Sequence, residues 1–219
     1  MAQGERSLKK DFLMFDTKIR SVIDKYLDAI AAPLAKMGIQ AKQVTLTGFG
    51  IGLVALPLIA LHFYTAALFC ILINRLFDGL DGSIARQTRV THSGAYLDIV
   101  LDFIFYSSVV FAFALAQPEN AIYAALLILS FTGTGSSFLT FAIFAEKLNI
   151  NSDCLVHSSN LDKSFHYLGG LAEGTETIVV LSLMCLFPEY FWALALGFSL
   201  ICFLATILRI RNSVVLLNK

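Results

Sequence analysis

The sequence predicts an all-α integral membrane fold of six transmembrane helices preceded by an amphipathic juxtamembrane helix. Three observations predict it. The 219 residues are 57% hydrophobic and 15% charged, with mean hydropathy +0.74, which is too apolar for an ordinary soluble domain. Uncharged stretches run over Gln43–Asn74, Phe103–Pro118, Asn120–Ala145 and Tyr190–Leu208, and about 20 helical residues cross a bilayer. The positive charges are segregated. All sixteen Lys and Arg residues fall in the first 42 residues, around Arg75–Arg89, at Lys147 and Lys163, or after Leu208.

Residues 1–42 form a polar tail and an interfacial helix, and residues 43–219 form the membrane domain. From Asp11 to about Met37, Phe15, Ile19, Val22, Ile23, Tyr26, Leu27, Ile30 and Leu34 recur at helical spacing. Lys18, Arg20, Asp24, Lys25 and Asp28 take the other side, as in a helix lying on a leaflet. Docking of this helix on a protein partner is the alternative. The charged N-terminus lacks the apolar core of a cleavable signal peptide.

Six spans follow, at about 45–62, 64–86, 92–116, 120–146, 163–187 and 189–211. The turns Leu61–Thr65, Gln117–Asn120 and Phe187–Tyr190 carry no Lys or Arg. Positive charge stays cytoplasmic, so both termini and the second-to-third loop belong inside. Tyr64, Tyr123, Tyr190 and Trp192 sit near the uncharged turns, where amphipathic rings favour the interface. Gly48 and Gly52 fit close helix packing better than a dinucleotide loop, because they open an apolar helix instead of following a strand. Cys70, Cys154, Cys185 and Cys202 fit small buried hydrophobes. A net charge of zero gives no support for a nucleic-acid partner.

The chemistry lies between the second and third spans. Asp78 and Asp81 are three apart and Asp98 and Asp102 four apart, so each pair shares a helix face. Carboxylates at a bilayer boundary are costly and default to a functional role. If the four converge, two divalent cations balance their charge, and hard oxygen donors suit Mg²⁺ or Mn²⁺. Gly79, Gly82 and Ala85 open a groove along the second span, and Arg86 follows one turn after Gly82. An arginine there suits bidentate contact with phosphate. Cations, groove and arginine together describe a pyrophosphate site. A solvated acidic helix end would explain neither the spacing nor the glycines.

Asp78-x₂-Asp81-Gly82-x₂-Ala85-Arg86, seven residues, then Gly94-x₃-Asp98-x₃-Asp102 fills every fixed position of a known signature. The chain resembles the CDP-alcohol phosphatidyltransferase family on these 25 residues, and six spans after a surface helix resemble that family's fold. The resemblance implies that Asp78, Asp81 and Asp98 bind two divalent ions, with Asp102 sharing one. It also implies that Asp102 is the general base for the acceptor hydroxyl, and that CMP leaves. Gly79, Gly82, Ala85 and Arg86 would hold the CDP group, with Thr91 a further contact. Family members often open the first span with Asn-x-x-Thr. Here Lys42-Gln43-Val44-Thr45 keeps Thr45 for the nucleotide and puts Lys42 in place of the asparagine. A homodimer is also implied.

The acceptor pocket falls to the later spans, with Lys163, Glu173 and Glu176 as candidates and Arg75 or Lys163 as partners for the glutamates. An interhelical polar clamp is the equal alternative for that pair. The fourth span has no Lys or Arg, which weighs against a phosphorylated acceptor, although Lys163, Arg75 and Arg89 could meet one. The expected activity is phosphatidyl transfer from a CDP-linked lipid, CDP-diacylglycerol foremost, to a small hydroxyl acceptor. It would take place in the cytoplasmic (inner) membrane with the site facing the cytoplasm. Transfer from a soluble CDP-alcohol to diacylglycerol, a cation transporter and an inactive membrane scaffold are the other readings.

Overall fold

The computed structural model describes residues 25–147 and 174–217, and all regular structure among them is helical. A helix over residues 25–36 (α1) precedes α2 (Ala41–Ala60), α3 (Tyr64–Gln87), α4 (His92–Ala116), α5 (Ala121–Lys147), α6 (Gly174–Leu186) and α7 (Phe191–Leu217). Single 3-10 turns at Pro118–Asn120 and Pro188–Tyr190 lead into α5 and α7. Most of the stripe from Asp11 to Asp24 lies outside the described residues, as do Lys163 and Glu173.

Among the described residues, four segments are long and apolar enough to cross a membrane: Ala41–Ala60, His92–Ala116, Pro118–Phe144 and Pro188–Val215. The expected second span, α3, has the length at 24 residues, but Arg75, Asp78, Asp81 and Arg86 crowd its second half and dilute its apolar character. The expected fifth span is described only as α6, 13 residues long and apolar.

Helix ends follow local chemistry. Gly38 takes φ +80° and closes α1, with Gly38 N–H donating to Ala35 O and Ile39 N–H to Leu34 O, both at 3.1 Å. This is the glycine-terminated helix stop, satisfying carbonyls that the helix leaves open. His62 does the same after α2 at φ +65°, a conformation that an L side chain resists, and its Nδ1 lies 2.8 Å from Tyr64 Oη.

The helices group into two compact units. The first takes the described residues up to Ile51 together with Leu72–Val100. Its core is Leu27, Ala31, Val44, Leu80 and Ile84, with Leu34, Ile39, Ala41 and Phe77 packed on it. So α1 turns Leu27, Ala31 and Leu34 onto protein, while Tyr26 and Ile30 stay 69% and 50% exposed. The apolar stripe is thus divided between the α3 face and the outside. Gly48 meets the close-packing expectation, since a Cβ there would stand 2.5 Å from Phe77 Cβ. Asn74 Nδ2 donates to Gly48 O at 3.1 Å.

The second unit takes Gly52–Ile71 and the described residues from Leu101 onward. Phe113 stacks between Tyr64 and Phe191, with ring centroids 5.7 and 4.8 Å away. Gln117 Nε2 donates to Pro188 O at 3.0 Å and lies 3.5 Å from Tyr64 Oη, tying three uncharged turns together. Antiparallel hairpins with short turns require that gathering. α5 and α7 pack most extensively. Their polar contacts are Thr134 Oγ1 at 3.2 Å from Thr206 Oγ1, both buried, and Arg209 Nη1 donating to Thr134 O at 3.0 Å.

Candidate active site

The second half of α3 carries the acidic pair. Asp78 forms an ion pair with Arg75 three residues earlier, so Arg75 serves this carboxylate. Asp81, one turn on, is 6% exposed, and its Oδ2 is buried without a hydrogen-bond partner. Thr45 and the Gly82 backbone N–H lie near it, and the Asp98 carboxylate acts on it as a like charge. Thr45 itself donates to Ala41 O at 3.1 Å.

A buried carboxylate oxygen without a donor is costly, and a like charge close by adds to the cost. A cation fits that arrangement. Among the described residues no three His, Cys, Asp or Glu side chains are gathered closely enough to hold a metal as they stand. Asp78 Oδ1 is turned to Arg75.

The glycines of the groove differ from one another. A Cβ on Gly79 would stand 2.8 Å from Leu27 Cδ1, so the space at Gly79 holds α1. A Cβ on Gly82 would meet only Arg86 Nη1, at 3.6 Å, and the guanidinium lies over that notch. Ala85 is half-buried on the same helix. Thr91 is exposed, and its Oγ1 accepts from Gly94 N–H at 3.1 Å, which makes it the N-cap of α4. The cap fixes where α4 begins and so where Asp98 and Asp102 fall on it.

Asp102 lies one turn after Asp98 on α4 and accepts from Tyr106 Oη at 2.8 Å. Tyr106 is 6% exposed and packs edge-on to Phe131, with centroids 6.5 Å apart. Glu176 is exposed in the first turn of α6, a favourable end for negative charge. Lys163 and Glu173, the other acceptor candidates, lie outside the described residues.

Three functional candidates escaped sequence reasoning. Tyr106 had a usable signal, four residues after Asp102 on a helix. Asp28 and Ser83 had none. Ser83 donates to Asp28 Oδ1 across 55 residues of chain, a pairing only the docking of α1 creates. With Arg86 and Ser83 beside it, the Asp28 carboxyl is held below the usual carboxylate range. The Ser83 hydrogen bond is the main cause, and partial burial opposes it.

Comparison with known proteins identifies the family. The family model described as CDP-alcohol phosphatidyltransferase matches residues 40–208. Inner membrane protein YnjF of Escherichia coli (strain K12) is 46% identical over 207 residues, 94% of this chain and 98% of that protein. Archaetidylinositol phosphate synthase of Pyrococcus horikoshii is 34% identical over 100 residues, 45% of this chain and 53% of that protein.

Proposed function

This chain belongs to the CDP-alcohol phosphatidyltransferase family, and we propose that it transfers a phosphatidyl group from CDP-diacylglycerol to a small hydroxyl acceptor, releasing CMP. The observation that carries the proposal is the buried Asp81 Oδ2, unpartnered and under the influence of Asp98. A soluble-facing acidic helix end would have no reason to bury it.

Asp78, Asp81, Asp98 and Asp102 are the residues that would hold two divalent ions, Mg²⁺ or Mn²⁺. Such ions neutralise charge on the attacking and leaving oxygens of a phosphoryl transfer. Arg86 holds the diphosphate from above the Gly82 notch, where a Cβ would meet only its Nη1, at 3.6 Å. Thr45, Ala85 and Thr91 complete the donor side, and Gly79 contributes by admitting α1. Asp102 Oδ1 takes the proton from the acceptor hydroxyl while Oδ2 remains hydrogen-bonded to Tyr106. The hydroxyl oxygen bonds to the lipid-linked phosphorus, the bond from that phosphorus to the CMP oxygen breaks, and CMP departs.

Setting and acceptor belong to the same proposal. α1 lies at the membrane surface, and six helices span an inner membrane, as the name of the Escherichia coli relative suggests. The positive charges of the Arg75–Arg89 segment support a site on the cytoplasmic side. Two copies assemble as a dimer. Lys163, Glu173 and Glu176 shape the acceptor pocket. The archaeal relative is named for archaetidylinositol phosphate, so inositol phosphate belongs among the acceptors tested.

The test is CMP release by purified protein from CDP-diacylglycerol with Mg²⁺ or Mn²⁺. The acceptors are serine, choline, inositol, inositol phosphate, glycerol 3-phosphate and glycerol, with Asp102→Asn run in parallel. Metal-dependent release with one acceptor, lost in the variant, is the expected result. Release only from a soluble CDP-alcohol with diacylglycerol would reverse donor and acceptor. Metal binding without CMP release from any donor would favour a cation transporter.

A further inference from the structure

Asp28 stands upstream of the residues matched by the family model, on a helix whose sequence suggests only a surface anchor. Among the described residues it meets the motif helix. Ser83 Oγ donates to Asp28 Oδ1, and Arg86 Nη2 stands 3.5 Å from that same oxygen. Gln87 Nε2 donates to the Asp28 backbone carbonyl at 3.1 Å and lies 3.4 Å from Ser83 Oγ. Residues 83, 86 and 87 follow the i, i+3, i+4 pattern of one helix face, so a single turn of α3 meets one residue of α1.

The register of that meeting is fixed by packing. Leu27, the neighbour of Asp28, occupies the notch at Gly79 and is buried with Ala31, Leu80 and Ile84. One turn of α1 thus locks onto α3 through an apolar contact at residue 79 and a polar one at 83–87. The Arg86 guanidinium spans two places, with Nη2 toward Asp28 and Nη1 over the Gly82 notch.

Stability is a poor explanation for the ion pair. The two side chains are 48% and 55% exposed and 3.5 Å apart, a geometry that contributes little to folding. Its effect is on the arginine. An arginine side chain has roughly 2 kcal/mol of rotamer entropy to lose when it grips a ligand, and a partner holding one nitrogen removes part of that loss beforehand.

We infer that Asp28 is a positioning residue for the donor site: from α1 it orients Arg86 over the Gly82 notch to receive the diphosphate of the CDP-linked substrate. The first helix is therefore part of the nucleotide site. This rests on the donor reading proposed above.

The test compares Asp28→Ala and Asp28→Asn in the full-length protein, reading KM and kcat for CDP-diacylglycerol, CDP affinity by calorimetry and the thermal midpoint. The asparagine keeps an oxygen that accepts from Ser83 and Arg86, whereas alanine keeps none. Asp28→Ala is expected to raise KM and weaken CDP binding by roughly five- to ten-fold, the scale of one charge-assisted hydrogen bond, with a smaller change in kcat. Asp28→Asn is expected to recover most of that loss.

Unchanged KM in Asp28→Ala, a fall confined to kcat, or equal losses in both variants would overturn the inference. A loss of CDP affinity in Asp28→Ala that merely tracks a collapsed thermal midpoint would overturn it too. Wild-type protein that neither binds CDP nor releases CMP would overturn the donor reading itself, an outcome visible before any variant is made.

Discussion

Tyr106 donates its phenolic proton to Asp102 Oδ2 across 2.8 Å, from one turn further along α4. The ring is buried against Phe131, so the hydroxyl has little freedom to look elsewhere. In the proposed reaction Asp102 takes a proton from the acceptor, so its carboxylate must point the right way. The Tyr106 hydrogen bond would hold that orientation from inside the packed part of the helix.

Tyr106→Phe keeps the ring and deletes the donor. The expected result is a fall in kcat of roughly ten-fold, the scale of one hydrogen bond to a charged group, with KM for the CDP-linked donor little changed. Steady-state kinetics on both substrates checks it. A rise in donor KM with kcat intact would remove Tyr106 from the base.

Asp81→Asn separates stability from activity. The buried Oδ2 has no partner, so neutralising the side chain relieves a cost in metal-free protein, and its thermal midpoint should hold or rise. CMP release should fall by about 100-fold or more, because the donor set for the ions is broken. Mn²⁺ binding followed by calorimetry should weaken in parallel. A lower midpoint in chelator with Mn²⁺ affinity intact would mean that Asp81 is a packing residue.

Gly48 and Gly50 form a matched pair on α2. A Cβ at Gly48 would meet Phe77 Cβ at 2.5 Å, while one at Gly50 meets nothing within 4 Å. Gly48→Ala should destabilise by about 1–3 kcal/mol, because the obstructing atom is the root of a side chain and cannot swing away. Gly50→Ala should be neutral or stabilising by up to about 1 kcal/mol, since glycine is a poor helix former. Thermal denaturation in detergent distinguishes them.

The docking of α1 should depend on acid. The Asp28 carboxyl is held below its usual range by Ser83 and Arg86, so the folded protein binds its proton less readily than the unfolded chain. The sign follows: the contribution to stability is fully present above the unfolded value near 3.8. It is lost as pH falls through the lower folded value. Asp28→Asn should therefore differ from wild type at neutral pH and converge with it in strong acid. A difference that grows as pH falls would reverse the assignment.

The helical placement of the acidic pairs was legible because its signals are local. Asp78, Asp81, Asp98 and Asp102 are recognised by spacing on a helix, and a helix fixes which of them share a face whatever surrounds it. Four of the six expected spans were legible among the described residues because hydropathy is additive along the chain, whereas the charges of α3 fall within its own window. Thr91 was singled out as a nucleotide contact, and the structure adds its role as the cap of α4. Gly79 and Gly82 look alike in the sequence, as two members of one groove. They part company in three dimensions, where one holds Leu27 and the other lies under Arg86. Arg75, an expected partner for the glutamates, forms an ion pair with Asp78, and Glu173 lies outside the described residues. Each of these choices depends on the rotation of one helix against another, which period and composition leave open.

The sequence by itself determined that this is a helical membrane protein, which carboxylates share a helix face and which family's signature they spell. Those properties follow from transfer free energy and helical geometry, which act residue by residue. Only the tertiary structure decided that Asp28 meets Ser83 and Arg86, that Leu27 fills the notch at Gly79 and that Asp81 Oδ2 is buried without a donor. Asp28 and Ser83 are 55 residues apart in the chain, and such contacts exist because apolar surfaces had to close on one another before any of the polar groups found its neighbour.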